Sequence, residues 1–356
     1  MLRTSSHLHI ETNDSDGDGD YAGAERDVNS NLTTIAEYRT DRVRADQAGG
    51  RELKHEWAVI LAGGDGTRLR SLTRRITGDE RPKQFCPLIG QNTLLAETQR
   101  RVALEVAKQR TMFVVNRAHE RYYSNLLGRA RRNVVEQPGN IGTAPAILYS
   151  ILKIASVDPE AIVAFFPSDH YVSDDSRFMA HVRKAFEAAH LRPDLMILLG
   201  IEPESPETEY GWIEPGQSIQ GHKQLHRVRR FWEKPSSDFA VILQLRACLW
   251  NSFVMVASAR TLLDTIATTT PALYQAFAPI TPFMGTDDEP ALIENLYAFP
   301  GEINFSDRVL ALVPEHLAVL RVRGVKWSDL GDPKRAFASI RMAGVRPRWA
   351  ESCWLS

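Results

Sequence analysis

Leu61-Ala62-Gly63-Gly64-Asp65-Gly66-Thr67-Arg68-Leu69 follows directly on an apolar stretch of strand length, residues 57–61. A strand that runs into a glycine-rich turn lets backbone N–H groups come close to phosphate oxygens. A side chain at these glycines blocks that approach or resists the φ/ψ values it needs. Arg68 adds a planar donor fork suited to phosphate. Two other phosphate loops are distinguishable. The P-loop closes on Gly-Lys-Ser/Thr, which is absent, and the dinucleotide fingerprint needs a third glycine where Leu69 stands. Leu61, Gly63, Gly64, Gly66 and Thr67 are therefore candidate nucleotide-binding residues and Arg68 a candidate catalytic one. The competing reading is an ordinary tight turn.

Outward from this loop, apolar runs of strand length recur at 57–61, 112–115, 162–166, 195–199 and 253–256. Amphipathic stretches with helical spacing lie between several of them, at 94–108, 144–155 and 178–189. Strands apolar throughout, alternating with helices, predict an α/β fold: a Rossmann-like, mainly parallel sheet covered by helices on both faces. After about residue 200 the pattern loosens, with short strands expected at 210–214 and 228–232. No internal repeat is found. Residues 1–54 are polar and rich in Asp, Gly and Arg, and are predicted to be mostly disordered because they offer little apolar surface to bury. The expected organisation is a tail at 1–54, one domain at 55–345 and a short C-terminal tail at 346–356.

The chain has 356 residues, 43% hydrophobic and 24% charged, which suffices for a large core. A net charge of -1 gives no bias toward nucleic acid or a membrane surface, so neither is an expected partner. Three cysteines, Cys86, Cys248 and Cys353, lack metal-site spacing and suit a reducing compartment. No apolar run reaches bilayer length, and no basic-then-apolar leader opens the sequence. The expected location is the cytoplasm. Asp14, Asp16, Asp18, Gly19 and Glu25 fit a calcium-loop pattern, but the preceding residues make a poor entering helix. An acidic stretch matching by composition is the preferred reading there.

The loop Leu-Ala-Gly-Gly-x-Gly-Thr-Arg-Leu, followed by Pro82-Lys83-Gln84-Phe85, resembles the signature of the sugar-1-phosphate nucleotidyltransferases. The Pro-Lys-Gln-Phe form is similar to the mannose-1-phosphate guanylyltransferase branch. The resemblance runs from about Trp57 to Phe337. It implies the nucleotide-diphospho-sugar transferase type of fold with irregular sugar-side elements, Mg²⁺ as cofactor, and GTP and a hexose-1-phosphate as substrates. The short length left after the transferase region leads to the expectation of no appended sugar-isomerase domain, and homo-oligomerisation stays open. Nucleotidyl transfer is an in-line displacement in which positioning and charge neutralisation account for most of the catalysis. Lys83 is a candidate catalytic residue for charge neutralisation. Only nine of the 43 Lys and Arg residues are lysines, and this one sits in a loop between Pro82 and Gln84.

The resemblance also assigns metal ligands. Asp169, in Phe166-Pro167-Ser168-Asp169-His170 after an apolar strand, matches the first and Asp329, in Trp327-Ser328-Asp329-Leu330-Gly331-Asp332, the second. A carboxylate beyond a strand's carboxyl end suits Mg²⁺. Asp332 precedes Pro333 and reads as a turn former; His170 is given no catalytic role. For the base, Glu136-Gln137-Pro138-Gly139-Asn140-Ile141-Gly142-Thr143-Ala144-Pro145 departs from the family's Glu-Pro-x-x-Arg-Asn-Thr-Ala-Pro-Ala but keeps Thr143 onward. Gln137, with a donor and an acceptor on one amide, and Thr143 are the candidates. For the sugar phosphate, Glu207-Thr208-Glu209-Tyr210-Gly211-Trp212-Ile213 resembles Pro-Glu-Thr-x-Tyr-Gly-Tyr-Ile. Phe231-Trp232-Glu233-Lys234-Pro235 resembles Val-Glu-Lys-Pro, and Trp250-Asn251-Ser252-Phe253 resembles Trp-Asn-Ser-Gly. Tyr210, Gly211, Glu233, Lys234 and Asn251 follow as candidates, with Phe253 in place of the usual glycine. Two other activities compete: a pyrophosphorylase for another hexose or nucleotide, and a catalytically silent nucleotide-sugar-binding regulator. Retention of Arg68, Lys83, Asp169 and Asp329 argues against the silent form.

Overall fold

Alternate residues of the first strand are buried on opposite sides. Ala58, Ile60 and Ala62 enter one apolar cluster, Trp57 and Val59 the other. A strand with no polar face needs cover on both sides, which fixes a three-layer arrangement. The protein is described by a computed structural model covering residues 55–128, 133–298, 301–347 and 349. The predicted tail at 1–54, its calcium-loop reading and most of the predicted C-terminal tail lie outside the described residues.

The strands are β1 (Glu56–Ala62), β2 (Thr111–Asn116), β3 (Val134–Gln137), β4 (Ile162–Pro167), β5 (Tyr171–Val172), β6 (Met196–Ile201), β7 (Gly211–Ile219), β8 (His222–Glu233), β9 (Leu249–Ser258), β10 (Leu317–Val322) and β11 (Trp327–Ser328). Nine form one sheet in the order β3-β2-β1-β4-β9-β6-β10-β8-β7, and β11 and β5 form a separate pair. Seven of the nine share one direction. β9, between β4 and β6, and β8 run against it. The antiparallel insertion is the main departure from a simple parallel reading, and its cause is physical. Residues 253–257 of β9 are covered on both faces, so that stretch is as apolar as a parallel strand.

On one face the helices Leu94–Val102, Glu120–Leu127 and Asp175–Leu191 pack through Leu95, Tyr123, Phe178, Val182 and Phe186. On the other, Thr143–Val157, Ala259–Thr269 and Pro271–Phe277 pack through Ile147, Ile151, Leu262 and Phe277. Thr93, Asp174 and Ser258 cap their helices by accepting backbone N–H bonds. Asp332, expected in a turn, N-caps Pro333–Ala343, with Pro333 in the first turn. The helix expected over 94–108 stops at Val102. Val102 and the buried Val106 keep helical spacing, but the chain turns between them. No helix among the described residues is long and apolar enough to cross a membrane.

A third cluster joins the helix after the glycine loop to the C-terminal helix. Leu69 and Leu72 meet Leu88, Leu94, Tyr171, Leu330 and Ala336 there. On the far side, Gly142 opens helix Thr143–Val157 where the chain is laced to 303–305. Ile303 N–H donates to the Ile141 carbonyl, Ala144 N–H to the Ile303 carbonyl, and Phe305 N–H to the Thr143 hydroxyl. Gly142 has φ 96°, and a Cβ there would lie 2.4 Å from the Ile303 carbonyl oxygen. Gly142→Ala is therefore expected to destabilise by about 2 kcal/mol or more, seen as a thermal melt lowered by several degrees. Gly90, whose added Cβ meets nothing within 4 Å, is the control; Gly90→Ala should stay within about 0.5 kcal/mol of the parent.

Candidate active site

The glycine loop leaves the carboxyl end of β1 beside the carboxyl end of β4, a position where open α/β sheets bind ligands. Gly66 takes φ 57° and starts the turn Thr67–Leu69; a Cβ there would sit 3.1 Å from the Lys83 backbone nitrogen. The buried Gln84 amide donates to the carbonyls of Ala62 (3.0 Å) and Gly64 (2.7 Å), so the second motif holds the carbonyl side of the first. Asp65 is anchored by His119 at 3.3 Å and Asn140 at 3.2 Å. Gly64, Thr67 and Arg68 stay exposed, and Leu61 and Gly63 are half-buried.

Lys83 ties the loop to both aspartate segments. Its ammonium donates to the backbone carbonyls of Asp329 (2.5 Å) and Leu330 (3.2 Å) and lies 3.2 Å from Asp169 Oδ2. Its side chain is 11% exposed, so this charge is held in place and cannot be a solvated surface cation. The antiparallel pairing of Ser328 with Tyr171 and Trp327 with Val172 brings the two segments together, although they lie about 160 residues apart. Asp329 Oδ1 accepts from the Tyr210 hydroxyl (3.2 Å) and Gly331 N–H (2.8 Å) and lies 3.1 Å from Arg335 Nε. Among the described residues no cluster of three or more His, Cys, Asp or Glu side chains is suited to a metal, so any ion here would take its remaining ligands from substrate or water. Burial pushes the His170 ring down to about 4, so it is neutral at pH 7, in keeping with a structural role.

The sugar-side candidates converge through β7, β8 and β9. Gly211 pairs with Glu233, and Trp212 pairs with Trp250, next to Asn251. A Cβ on Gly211 would lie 2.9 Å from Glu233 Oε2 and 3.2 Å from Asn251 Cβ, so glycine makes room for both. Burial pushes the Glu233 carboxyl up, with Lys234 pulling the other way. Tyr210 stands edge-on to Trp250 and Trp327, with ring centroids 5.0 and 5.1 Å away.

Four described residues other than glycine have positive φ: Lys234, Ala247, Phe253 and Leu330. Lys234 follows Glu233, Phe253 lies two residues after Asn251, and Leu330 follows Asp329. Such backbone costs about 1–3 kcal/mol per residue and gathers at functional sites. Phe253, at φ 59°, takes the left-handed conformation that favours glycine. Asn251 Oδ1 stabilises that turn by accepting Phe253 N–H at 3.0 Å.

Two base-side candidates are engaged differently from what their sequence suggested. Gln137 is buried at 3% exposure, and its Oε1 accepts from the Tyr297 hydroxyl at 3.0 Å. Its Nε2 faces Gly63, where a Cβ would come within 2.4 Å. The acceptor of the supposed donor–acceptor pair is thus already in use. The Thr143 hydroxyl likewise receives Phe305 N–H. Sequence reasoning also missed Arg335, which reaches Asp329, Asp332 (3.0 Å) and Glu207 (3.2 Å) and lies 5.0 Å from the Tyr210 ring. A signal was available: an arginine in a helix's first turn opposes the helix dipole and so needs nearby acids. Tyr297 gave none.

A model of the nucleotidyl transferase family matches residues 57–342, spanning every residue placed here. The chain belongs to the nucleotidyl transferase family. Among curated relatives, xanthan biosynthesis protein XanB of Xanthomonas campestris pv. campestris is 32% identical over 222 residues, covering 61% of this chain and 45% of that protein. A mannose-1-phosphate guanylyltransferase of Escherichia coli is 30% identical over 224 residues, 61% and 46% of the two chains. The match therefore spans about half the length of these relatives. A solved structure described as a mannose-1-phosphate geranyltransferase, from Thermus thermophilus, has TM-score 0.69 and 28% identity over 80% of this chain and 79% of its own. These likenesses support the sugar-1-phosphate nucleotidyltransferases and, within them, the guanylyltransferase branch.

Lys83→Met keeps the aliphatic stem but leaves Asp169 and two carbonyls without their cation. Transfer activity is expected to fall at least about 100-fold, with a lower melting temperature because buried acceptors lose their donor. Activity within about threefold of the parent in a pyrophosphate-release assay would remove Lys83 from the site.

Proposed function

We propose that the chain transfers a guanylyl group from GTP to mannose-1-phosphate. A phosphate oxygen of the sugar attacks the α-phosphorus in line, the bond to the β-phosphate oxygen breaks, and GDP-mannose and pyrophosphate leave. The observation that carries this reading is the Lys83 contact set, which joins the glycine loop to Asp169 and Asp329. The guanine and mannose assignments draw on the Pro-Lys-Gln-Phe form and on relatives named for that activity.

Each group has a role that its chemistry suits. The glycine loop offers backbone N–H groups to the triphosphate. Arg68 and Lys83 neutralise charge that builds on the phosphates as the bond breaks. Glu233 accepts from sugar hydroxyls, Asn251 offers them its amide donor while its Oδ1 holds the Phe253 N–H, Lys234 meets the 1-phosphate, and Tyr210 and Gly211 shape the wall between them. Asp169 and Asp329 provide the hard oxygen donors that Mg²⁺ prefers, and with substrate phosphates the set fits that ion. Bound there, Mg²⁺ would neutralise and orient phosphate oxygens. Gln137 serves the base side from beneath Gly63, with only its amide donor unclaimed by Tyr297.

A pyrophosphate-release panel pairing each nucleoside triphosphate with each hexose-1-phosphate is the direct test. GTP with mannose-1-phosphate should give the highest kcat/KM; a different best pair would replace the substrate assignment. Asp169→Asn and Asp329→Asn keep side-chain shape and should each cut kcat at least about 100-fold, with a melting temperature only modestly lowered because Lys83 and Arg335 each lose a charged partner. The double variant should lose little more than the worse single. Near-normal activity in Asp329→Asn would sink the two-carboxylate site.

A further inference from the structure

Arg68, the exposed arginine of the glycine loop, already has an anion. Its Nη1 donates to Glu209 Oε2 at 2.8 Å, with both side chains about half exposed, 56% and 47%. Glu209 belongs to the segment leading into the sugar side and stands at the unspecified position of the Glu-Thr-x-Tyr-Gly pattern. The same segment is anchored two residues earlier. Glu207 pairs with Arg335 at 3.2 Å, its carbonyl accepts from Trp212 Nε1 at 2.8 Å, and Tyr210 donates to Asp329. Residues 207–210 are therefore fixed by Glu207 and Tyr210, and joined to the glycine loop by one solvent-reachable ion pair.

We infer that Glu209 sets the nucleotide affinity of the site by occupying Arg68 with a carboxylate that the incoming triphosphate must displace. The chemistry favours exchange. A triphosphate presents more charge and more oxygens to a guanidinium than a single carboxylate does. An exposed ion pair is weak enough to open without a large penalty.

The inference rests on the nucleotidyl-transfer reading but not on the choice of guanine. It is tested by titrating the full chain calorimetrically with GTP and Mg²⁺ in the absence of sugar phosphate, or with whichever nucleotide the substrate panel selects. Glu209→Gln should bind nucleotide about 2- to 5-fold more tightly than the parent at low salt. The gap should shrink below about twofold near 0.5 M salt, where exposed charges are screened. In an Arg68→Ala background, Glu209→Gln should change affinity less than about twofold, because the competitor then has nothing to hold. Unchanged or weaker binding in Glu209→Gln would overturn the inference and leave the transferase reading standing. An equal gain in both backgrounds would also overturn it, since Glu209 would then act through bulk charge and not through Arg68. A parent chain that binds no nucleoside triphosphate would overturn both.

Discussion

The Lys83 ammonium is the constraint on which the candidate site depends. It is nearly buried, and a charge so placed must be matched by acceptors. Asp169 and the carbonyls of Asp329 and Leu330 supply them. Those acceptors come from the end of β4 and from the segment after β11, and Lys83 itself comes from the loop whose next residue, Gln84, clamps the glycine turn. One cation thus fixes the relative position of three segments remote in sequence. The cluster of Leu69, Leu72, Leu330 and Ala336 supports the same junction with apolar contact. Rigid support of this kind is what a positioning-dominated phosphoryl transfer requires.

Around that junction the backbone is held in conformations it would not choose. Leu330, Phe253 and Lys234 all take positive φ next to candidate ligands. At Phe253 the strain is most informative. A phenylalanine occupies a left-handed turn that does not suit its side chain, and Asn251 accepts the Phe253 amide. The demand for a fixed Asn251 outweighs the local preference of the residue at Phe253. The partly buried phenyl ring packs against the apolar cluster on one sheet face, which offsets part of the cost.

Charge is paired to an unusual degree for a site expected to bind a polyanion. Arg68 meets Glu209, Lys83 meets Asp169, and Arg335 meets Asp329, Asp332 and Glu207. Each cation is preorganised by an acid that a phosphate or metal ion can replace or share. The half-exposed Arg68 pair is the one most open to exchange; the Arg335 pairs are shielded and hold the scaffold.

The glycine turn after the first strand and the two-sided burial of the strands were legible in the amino-acid order, because each is a local pattern with a local cause; the two aspartate segments were singled out by family resemblance. Gly63 is required by the closeness of Gln137 and Gly66 by its positive φ, and continuous apolar runs require cover on both faces. The direction of β9 between β4 and β6 was not legible, since burial on both faces looks the same whichever way a strand runs. The same holds for Gln137 spending its acceptor on Tyr297, for Arg335 gathering three carboxylates and for Arg68 resting on Glu209. Tyr297 lies 160 residues from Gln137, Glu209 lies 141 from Arg68 and Glu207 lies 128 from Arg335. Side-chain pairing over such distances follows from the path of the chain, and only the assembled sheet decides which donors and acceptors meet.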